Sequence, residues 1–571
     1  MSKPQTTTVA CLLLAAVVSG ALVVTRNTPG QTSPRAPVAS KQESGGATAK
    51  APPFEGLGKY RRKITTSSPA AQRYFDQGLA FLQAFNHDEA IRLFAEAGRL
   101  DPNCAMAWWG VAFANGPHIN NPIVPDGRAK AAWEALGKAL GAAAKGSPVE
   151  RALVEALAKR YANPPPDDRK PLDLAFAEAM RKVWQRFPTD ADVGAFFAES
   201  MMDLRPWDLW TADGRAQPGT SEIVATLEKV LTLSPNHPLA LHLYIHAVEA
   251  SPNPRRAADE ADRLRDLMPG LGHMVHMPSH IDVRLGRWAI AAVANDKAIA
   301  ADKAYREKSP DQGFYRVYMA HNQHMLSFAA MMRGQSKRSI DAINAMADGI
   351  PPDWIKENAA IADGFTAMPL EVLVRFGKWD DVLAAPQPAE YLPIARGLWH
   401  CARGIAHAAK GDISSAKEEQ EQFAEAQAKL PEEAFFSNNK GRDLLHVAQH
   451  LLAGEILYRA GKTDQALAEL RQAVAAEDLL RYAEPPDWLI PTRHALGATL
   501  LHAGRAEEAE KVYRADLEKL PENGWSLYGL AKSLSLQGKK DEAADAQKRF
   551  AKAWQDADIQ ISSSCLCLPG K

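Results

Sequence analysis

The chain has 571 residues, 46% of them hydrophobic, and its 67 basic side chains nearly balance its 68 acidic ones. This length exceeds that of one compact domain and predicts either several domains or a repeat array. The balanced charge argues against a nucleic-acid or membrane-surface role, because both require a basic patch. Five cysteines are too few and too scattered for a disulfide framework.

Residues 1–25 predict a signal peptide or a short N-terminal anchor. Lys3 precedes an uncharged run from Val9 to Val24, shorter than the ~20 apolar residues of a spanning helix. Residues 26–58 are rich in Pro, Ser and Gly and predict a disordered linker. The protein is therefore expected to be exported, to the periplasm or cell envelope, with membrane contact only through this segment if it is uncleaved.

From about residue 60 onward, alanine-rich helical periodicity alternates with turns marked by Gly and Pro. The stretch YFDQGLAFLQAFNHDEAIRLFAEAGRLDP, residues 74–102, closely resembles a tetratricopeptide repeat. Its small residues Gly78 and Ala90 allow paired helices to approach, and Pro102 ends the second helix.

A turn glycine with a small residue five positions later recurs along the chain. The pairs are Gly286/Ala291, Gly334/Ser339, Gly411/Ala416, Gly461/Ala466, Gly504/Ala509 and Gly538/Ala543, with a looser copy at Gly377. The resemblance to tetratricopeptide repeats covers most of residues 60–555. It implies an all-α, right-handed superhelical solenoid in which the first helix of each pair lines a concave groove. We expect N-terminal and central repeats at 59–396, C-terminal repeats at 397–560 and a flexible Cys-containing tail at 561–571.

Half of the 16 histidines lie between residues 237 and 324. Seven of these eight recur 13, 10 or 6 residues before the turns of three successive repeats: His242, His246, His273, His276, His280, His321 and His324. At about 100° per residue, these offsets form one stripe along each helix. In tetratricopeptide arrays that stripe faces the groove, so the resemblance implies that the seven histidines converge.

Imidazoles three, four or seven residues apart on a helix can offer two nitrogens to one metal ion. With nearby carboxylates and no cysteine on the stripe, the donor set favours zinc, copper or iron. One ion needs three or four protein ligands, so seven histidines imply several ions or supporting histidines. Candidates for orienting the imidazoles through their second nitrogen are Glu371, Asn322, Asp282 and Glu249, and candidate catalytic bases are Glu249 and Glu199.

Three details restrict this interpretation. Pro278 is expected to interrupt the helix between His276 and His280. His242 and His246 have the spacing of a zinc-protease helix, but Leu243 stands where that family has its glutamate base. Residues 461–463 end like a phosphate loop but lack its first glycine, so no nucleotide cofactor is expected.

Two inserted loops, residues 113–127 and 204–219, are interpreted either as lids over the groove or as packing insertions. Three functions stay open: a metalloenzyme that activates water or dioxygen, a metal-binding protein without turnover, and a protein–protein adaptor without catalytic activity. In the last case a protein or peptide partner binds through the groove or the C-terminal repeats. No nucleic-acid partner is expected.

Overall fold

The structure is a computed structural model that describes residues 54–566. The predicted signal or anchor segment and most of the predicted linker lie outside these residues. The described residues all belong to one unit, residues 41–571. Among their helices, none combines the length and apolar character needed to span a membrane.

The N-terminal part consists of helices joined by short turns and the first inserted loop. They are α1 (Pro69–Gln83), α2 (His87–Leu100), α3 (Ala105–Ala114), α4 (Asp126–Ala142), α5 (Pro148–Leu157), α6 (Lys170–Arg186) and α7 (Ala191–Met202), with a 3-10 turn at Ala143–Lys145. Most begin at a side-chain cap: Ser68, Asn86, Ser147 and Asp190 each accept a hydrogen bond from a backbone N–H of the first turn.

The central part carries the histidines. Its helices are α8 (Thr220–Leu233), α9 (Pro238–Val248), α10 (Ala258–Leu264), α11 (Gly272–His276), α12 (Pro278–Arg284), α13 (Trp288–Lys308), α14 (Arg316–Met332) and α15 (Ser336–Asp348), with 3-10 turns at Pro254–Ala257 and Gly313–Tyr315. As expected, the helix is interrupted at Pro278. Helix α11 ends at His276 and α12 begins at Pro278, with Met277 between them.

The C-terminal part is a regular series of antiparallel pairs. Its helices are α16 (Pro352–Glu357), α17 (Ala359–Ala362), α18 (Met368–Arg375), α19 (Trp379–Ala384), α20 (Pro393–Ala409), α21 (Ile413–Ala428), α22 (Gly441–Arg459), α23 (Thr463–Asp478), α24 (Thr492–His502), α25 (Ala506–Lys519), α26 (Gly524–Leu536) and α27 (Lys540–Ala553), with a 3-10 turn at Gly364–Ala367. Strands β1 (Phe435–Phe436) and β2 (Asn439–Lys440) form a small antiparallel hairpin before α22.

The repeat turns predicted from sequence are confirmed. Every predicted turn glycine joins two helices and has a positive φ, between +63° and +87°, which glycine adopts without steric cost: Gly286, Gly334, Gly377, Gly411, Gly461, Gly504 and Gly538. Gly78 also has its predicted packing role, since a Cβ there would lie 2.7 Å from the Phe94 ring. The predicted all-α array of tetratricopeptide-like helix pairs is therefore the fold of this chain.

The array winds far enough for distant repeats to touch. Trp288 Nε1, at the start of α13, donates to the Pro521 carbonyl over 2.7 Å, and Arg333 forms an ion pair with Asp556. The Tyr305 hydroxyl reaches the carboxylate of Glu89 in α2 over 3.1 Å. These contacts join the central helices to the N-terminal and C-terminal parts of the array.

Two large apolar clusters support this arrangement. One extends from residue 57 to residue 319 and the other from residue 283 to residue 546, so they overlap in sequence around α12–α14. Residues 561–566, expected to be a flexible tail, lie against the C-terminal repeats instead. Ser564 is only 1% exposed there, because Tyr513 and His494 enclose its side chain.

Candidate metal centre

Four helices bring six of the seven predicted histidines together. His242 and His246 lie one turn apart on α9, which begins at Pro238 after the His237 side chain caps the Ala240 N–H. Helices α11 and α12 carry His273, His276 and His280, and α14 carries His321. Ligand atoms of three groups each lie within 4.8 Å of one another: His276, His280 and His321; His242, His246 and His273; and His246, Glu249 and His280.

The first group is built around a close nitrogen pair. His276 Nε2 and His280 Nε2 are 2.7 Å apart. Their other ring nitrogens contact oxygen acceptors: His276 Nδ1 lies 2.7 Å from Asn295 Oδ1, and His280 Nδ1 lies 2.6 Å from Glu249 Oε2. His321 is half-buried, and its ring centroid lies 4.6 Å from that of His276.

These acceptors determine where the ring protons lie. Asn295 Nδ2 donates to the Ala291 carbonyl, so its Oδ1 must face His276. Both Nδ1 atoms therefore carry hydrogen, and in the neutral tautomers the two Nε2 lone pairs point toward each other. Lone pairs this close require either a shared proton or a cation between them. Although burial opposes protonation, the charge of Glu249 raises the pKa of His280, so a proton is one of the two solutions.

The second group lies beside the first. His242 Nδ1 donates to the Gln83 carbonyl over 2.8 Å, and His246 Nδ1 donates to Glu249 Oε1 over 2.7 Å. The Nε2 atoms of His242 and His273 are 3.2 Å apart. His246 Nε2 is buried and has no hydrogen-bond partner among the described residues.

Burial keeps most of these imidazoles neutral. Together with the neighbouring imidazoles, burial lowers the pKa of His242, His273, His276 and His321 well below the usual range. Burial opposes ionisation of Glu249 as well, yet His280 and His246 lower its pKa to about 2. Neutral imidazole with a free Nε2 lone pair and an oxygen acceptor at Nδ1 is the state that binds metal, and His242 and His276 meet both conditions. His273 Nδ1 is buried and has no such partner among the described residues.

Glu249 was predicted as a base or as an orienting residue, and its contacts favour the second role. Its two oxygens each accept from a different imidazole, and its carboxylate is 1% exposed. A carboxylate with a pKa of about 2 is a weak proton acceptor. The other predicted base, Glu199, belongs to none of the three groups. It lies near Asp203 and Arg160, and burial followed by the Asp203 charge raises its pKa to about 8.

The remaining predicted site residues have other partners. Both ring nitrogens of His324 lack hydrogen bonds among the described residues, and its ring lies 6.0 Å from that of Phe365. Asn322 donates to Asp302 over 2.7 Å. None of these contacts includes a histidine of the three groups.

Two predicted orienting carboxylates are likewise engaged elsewhere. Asp282 pairs with Arg265 over 3.0 Å, and Glu371 accepts from the Leu489 N–H over 2.9 Å. Both side chains are paired with groups other than imidazoles. Within residues 54–566, the structure therefore shows no imidazole contact for Glu371, Asn322 or Asp282, and their orienting role stays a prediction.

Both inserted loops contribute to the wall around His246. The Trp207 ring meets the His246 ring edge to face at 5.1 Å, and Trp207 Nε1 donates to Asn120 Oδ1 over 2.9 Å. Trp210 Nε1 donates to the Ala247 carbonyl over 2.8 Å. These contacts favour the interpretation of the loops as lids, and a narrow pocket between them reaches His246 and Glu249.

Sequence reasoning missed several residues of the site. Phe85, with a φ of +56°, lies with its ring 4.3 Å from His242 and 4.9 Å from His118. The His118 and His87 rings are 4.2 Å apart. The Tyr482 hydroxyl lies 3.2 Å from Glu249 Oε2. The two additional histidines were visible as residue types, but no sequence pattern connects them to residues more than 100 positions away.

A family model described as tetratricopeptide repeat matches residues 447–472 and 490–515, within α22–α23 and α24–α25. No curated protein matches the chain. Among solved structures, the Cut9–Hcn1 hetero-tetramer of the APC/C is 13% identical, with 84% of this chain and 76% of that chain covered at a TM-score of 0.32. A human IFIT1 dimer with m7Gppp-AAAA is also 13% identical, with 86% of this chain and 92% of that chain covered at a TM-score of 0.32.

The family match and the seven glycine turns point to the same kind of repeat. Repeats of this kind stack into scaffolds that mediate protein interactions. The chain thus carries tetratricopeptide repeats in an all-α superhelical array.

Proposed function

We propose that the histidine cluster binds a transition-metal ion inside this interaction scaffold. The observation that carries the proposal is the His276–His280 pair, whose Nε2 atoms lie 2.7 Å apart while each Nδ1 is held by an oxygen. A cation between the two lone pairs removes their repulsion. Nδ1 hydrogen bonds to carbonyl or carboxylate oxygens are the usual support of metal-ligating histidine.

A shared proton explains the first pair but not the rest of the cluster. His246 Nε2 is buried without a partner, and burial of an unsatisfied polar atom costs about 1–3 kcal/mol. The Nε2 atoms of His242 and His273, 3.2 Å apart, are close to the ~3.3 Å edge of a tetrahedral site with metal–nitrogen bonds near 2.05 Å. A metal ion in each group satisfies all of these nitrogens.

The donor set limits the choice of ion. The two all-histidine groups offer imidazole nitrogens, and neither includes a thiolate. Imidazole suits zinc, copper and iron, whereas magnesium and calcium prefer oxygen ligands. We therefore propose zinc, copper or iron as the ion, at one or both groups.

The pocket that reaches His246 favours a second, catalytic function for the same site. Three imidazoles leave a coordination position open, and an ion held this way can activate water or dioxygen. The pocket lining is mainly apolar, with Trp207, Trp210 and Ile119 around the polar floor formed by His246 and Glu249. The alternative is a protein–protein interaction adaptor in the cell envelope with no catalytic activity.

The first experiment measures metal content. Untagged full-length protein would be purified from a periplasmic preparation, which also tests the predicted export, and analysed by mass spectrometry for bound metals. We expect about one to two ions per chain. The double variant His276→Ala/His280→Ala should lose at least one of them, while circular dichroism stays unchanged.

The matched control is His446→Ala/His450→Ala. These two histidines are also four residues apart in sequence, here within α22, with ring centroids 4.6 Å apart, but they lie outside all three groups. The control should keep the full metal content. Absence of metal after incubation with zinc, copper and iron, or equal loss in both double variants, contradicts the proposal.

A further inference from the structure

A second interior site lies among the C-terminal repeats, around the guanidinium of Arg375. Arg375 is 3% exposed, and its guanidinium lies 3.4 Å from the centroid of the Trp525 ring. NH1 contacts His494 Nδ1 at 3.1 Å, NH2 donates to the Ser564 carbonyl, and Nε has no partner among the described residues. A buried cation without a carboxylate on its donors is costly unless acceptors are brought to it.

The chain's own C-terminal segment supplies the acceptor. Besides the carbonyl that meets Arg375, the Ser564 hydroxyl donates to the His494 carbonyl over 2.8 Å and lies 2.7 Å from the Tyr513 hydroxyl. Cys565 and Leu566 line an adjoining pocket together with Ile405 and Leu451. The segment therefore packs against the C-terminal repeats as a bent stretch without helix or strand.

A second anchor holds the start of this segment. The Asp558 carboxylate accepts from the Ser336 N–H over 2.6 Å and from the Lys337 N–H over 2.9 Å, at the N-terminus of α15. This position suits a negative charge because the first N–H groups of a helix lack intrahelical acceptors. Between the two anchors the segment adds no helix or strand to the fold.

We propose that this site is a peptide-binding site and that residues 558–566 occupy it in cis. We call it the tail site, formed by Arg375, His494, Tyr513 and the pocket beside Leu451. Its ligand class is a peptide segment without helix or strand that has an acidic residue at the α15 anchor and, six residues later, a small hydroxyl residue followed by apolar ones. A partner protein presenting such a segment would displace the tail. The proposal concerns the scaffold and is independent of metal binding.

The chemistry of the contacts supports exchange. The site uses a backbone carbonyl, one hydroxyl, one carboxylate and apolar side chains, all of which a peptide segment of another protein can present. Binding in cis raises the effective concentration of the tail to roughly millimolar, which masks the site toward weaker ligands in trans. Removing one of the two contacts that anchor the tail should therefore allow a peptide to bind the site in trans.

The experiment uses full-length protein carrying Asp558→Lys, which removes the acidic anchor and leaves the tail site intact. The probe is a fluorescent peptide with the sequence of residues 556–566 and Cys565→Ala, which avoids oxidation. Fluorescence anisotropy should give a dissociation constant on the order of 10 μM for the peptide and the Asp558→Lys protein. The peptide should bind at least tenfold more weakly to the wild-type chain. Hydrogen exchange at residues 559–566 should increase in the variant.

Two further measurements test the site itself. The same peptide with Ser564→Lys places a cation beside Arg375 and should bind at least tenfold more weakly to the Asp558→Lys protein. Arg375→Met in the Asp558→Lys background should have the same effect on the original peptide. The control is Asp545→Lys, which makes the same charge change at an exposed position of α27. This variant should have the same peptide binding and the same hydrogen exchange at residues 559–566 as the wild-type chain.

Peptide binding that depends on Arg375 and on the released tail supports the proposal. Three results overturn it: no binding to the Asp558→Lys protein, equal binding of the two peptides, or a tail that stays protected from exchange without its anchor. In the last case the segment is a permanent part of the fold and not an exchangeable ligand.

Discussion

Glu249→Gln is the sharpest test of the metal centre. Glu249 accepts from His246 Nδ1 over 2.7 Å and from His280 Nδ1 over 2.6 Å, one imidazole for each oxygen. Glutamine keeps one oxygen acceptor but places an amide donor against the second imidazole. That imidazole must then move its proton from Nδ1 to Nε2, which removes its lone pair from the metal.

The expected cost follows from what is lost. One charge-assisted hydrogen bond is worth about 1.5–3 kcal/mol, and loss of a group that supports a ligating histidine weakens metal binding about 10–100-fold. At 1.4 kcal/mol per factor of ten, the two estimates agree on a weakening of roughly 30-fold, or about 2 kcal/mol. The side chains are nearly isosteric, so the helices should remain folded.

The assay is competition with a chromophoric chelator at pH 7.5, which yields the dissociation constant of each variant for zinc. The matched control is Glu469→Gln, because Glu469 also contacts a histidine, His450, over 2.7 Å but lies outside the cluster. The control should bind zinc like the wild-type chain. An unchanged constant in a folded Glu249→Gln protein refutes the orienting role.

Three further changes test the fold around the site. Phe85→Ala removes a buried ring that contacts His242, and should lower the free energy of unfolding by about 3–5 kcal/mol in urea titrations; a loss below 1 kcal/mol contradicts this packing. Burial raises the pKa of Glu371 from 4.5 to about 8, so the folded chain binds this proton more tightly than the unfolded chain does. The free energy of unfolding should therefore fall as pH rises across that range. Glu371→Gln should flatten the decline in melting temperature between pH 5 and 9, and an unchanged slope refutes the assignment. Gly286→Ala combines a φ of +73° with a Cβ 2.6 Å from the Pro521 carbonyl, so it should lower the melting temperature more than Gly411→Ala, which meets nothing within 4 Å.

The repeat pattern and the histidine stripe could be predicted because both depend on local periodicity. Gly286 and Gly334 mark turns through their own conformational freedom, and histidines at fixed offsets before those turns must share a helical face. The same spacing does not identify the partner of Asn322, which lies between His321 and His324 in sequence and donates to Asp302. The partner of Asn322 depends on the direction in which its side chain leaves the helix. Spacing from a turn gives that direction only approximately.

The enclosure of the site could not be predicted, because it depends on contacts between repeats far apart in sequence. Tyr482 reaches Glu249 across more than 200 positions, and Gln83 reaches His242 across more than 100. Such contacts depend on how far the array winds, which is the sum of small rotations between successive repeats. No single repeat encodes that sum.

The late position of Tyr482 has a consequence for protein synthesis. The ribosome adds roughly 5–20 residues per second, so the ~160 residues between His321 and Tyr482 require about 10–30 s. During this interval the nascent chain already contains all the histidines of the cluster, but lacks the segment that closes the wall beside Glu249. The cluster is therefore open on that side until this segment is in place, and a chain that completes folding without metal should acquire the proposed ion more slowly afterwards.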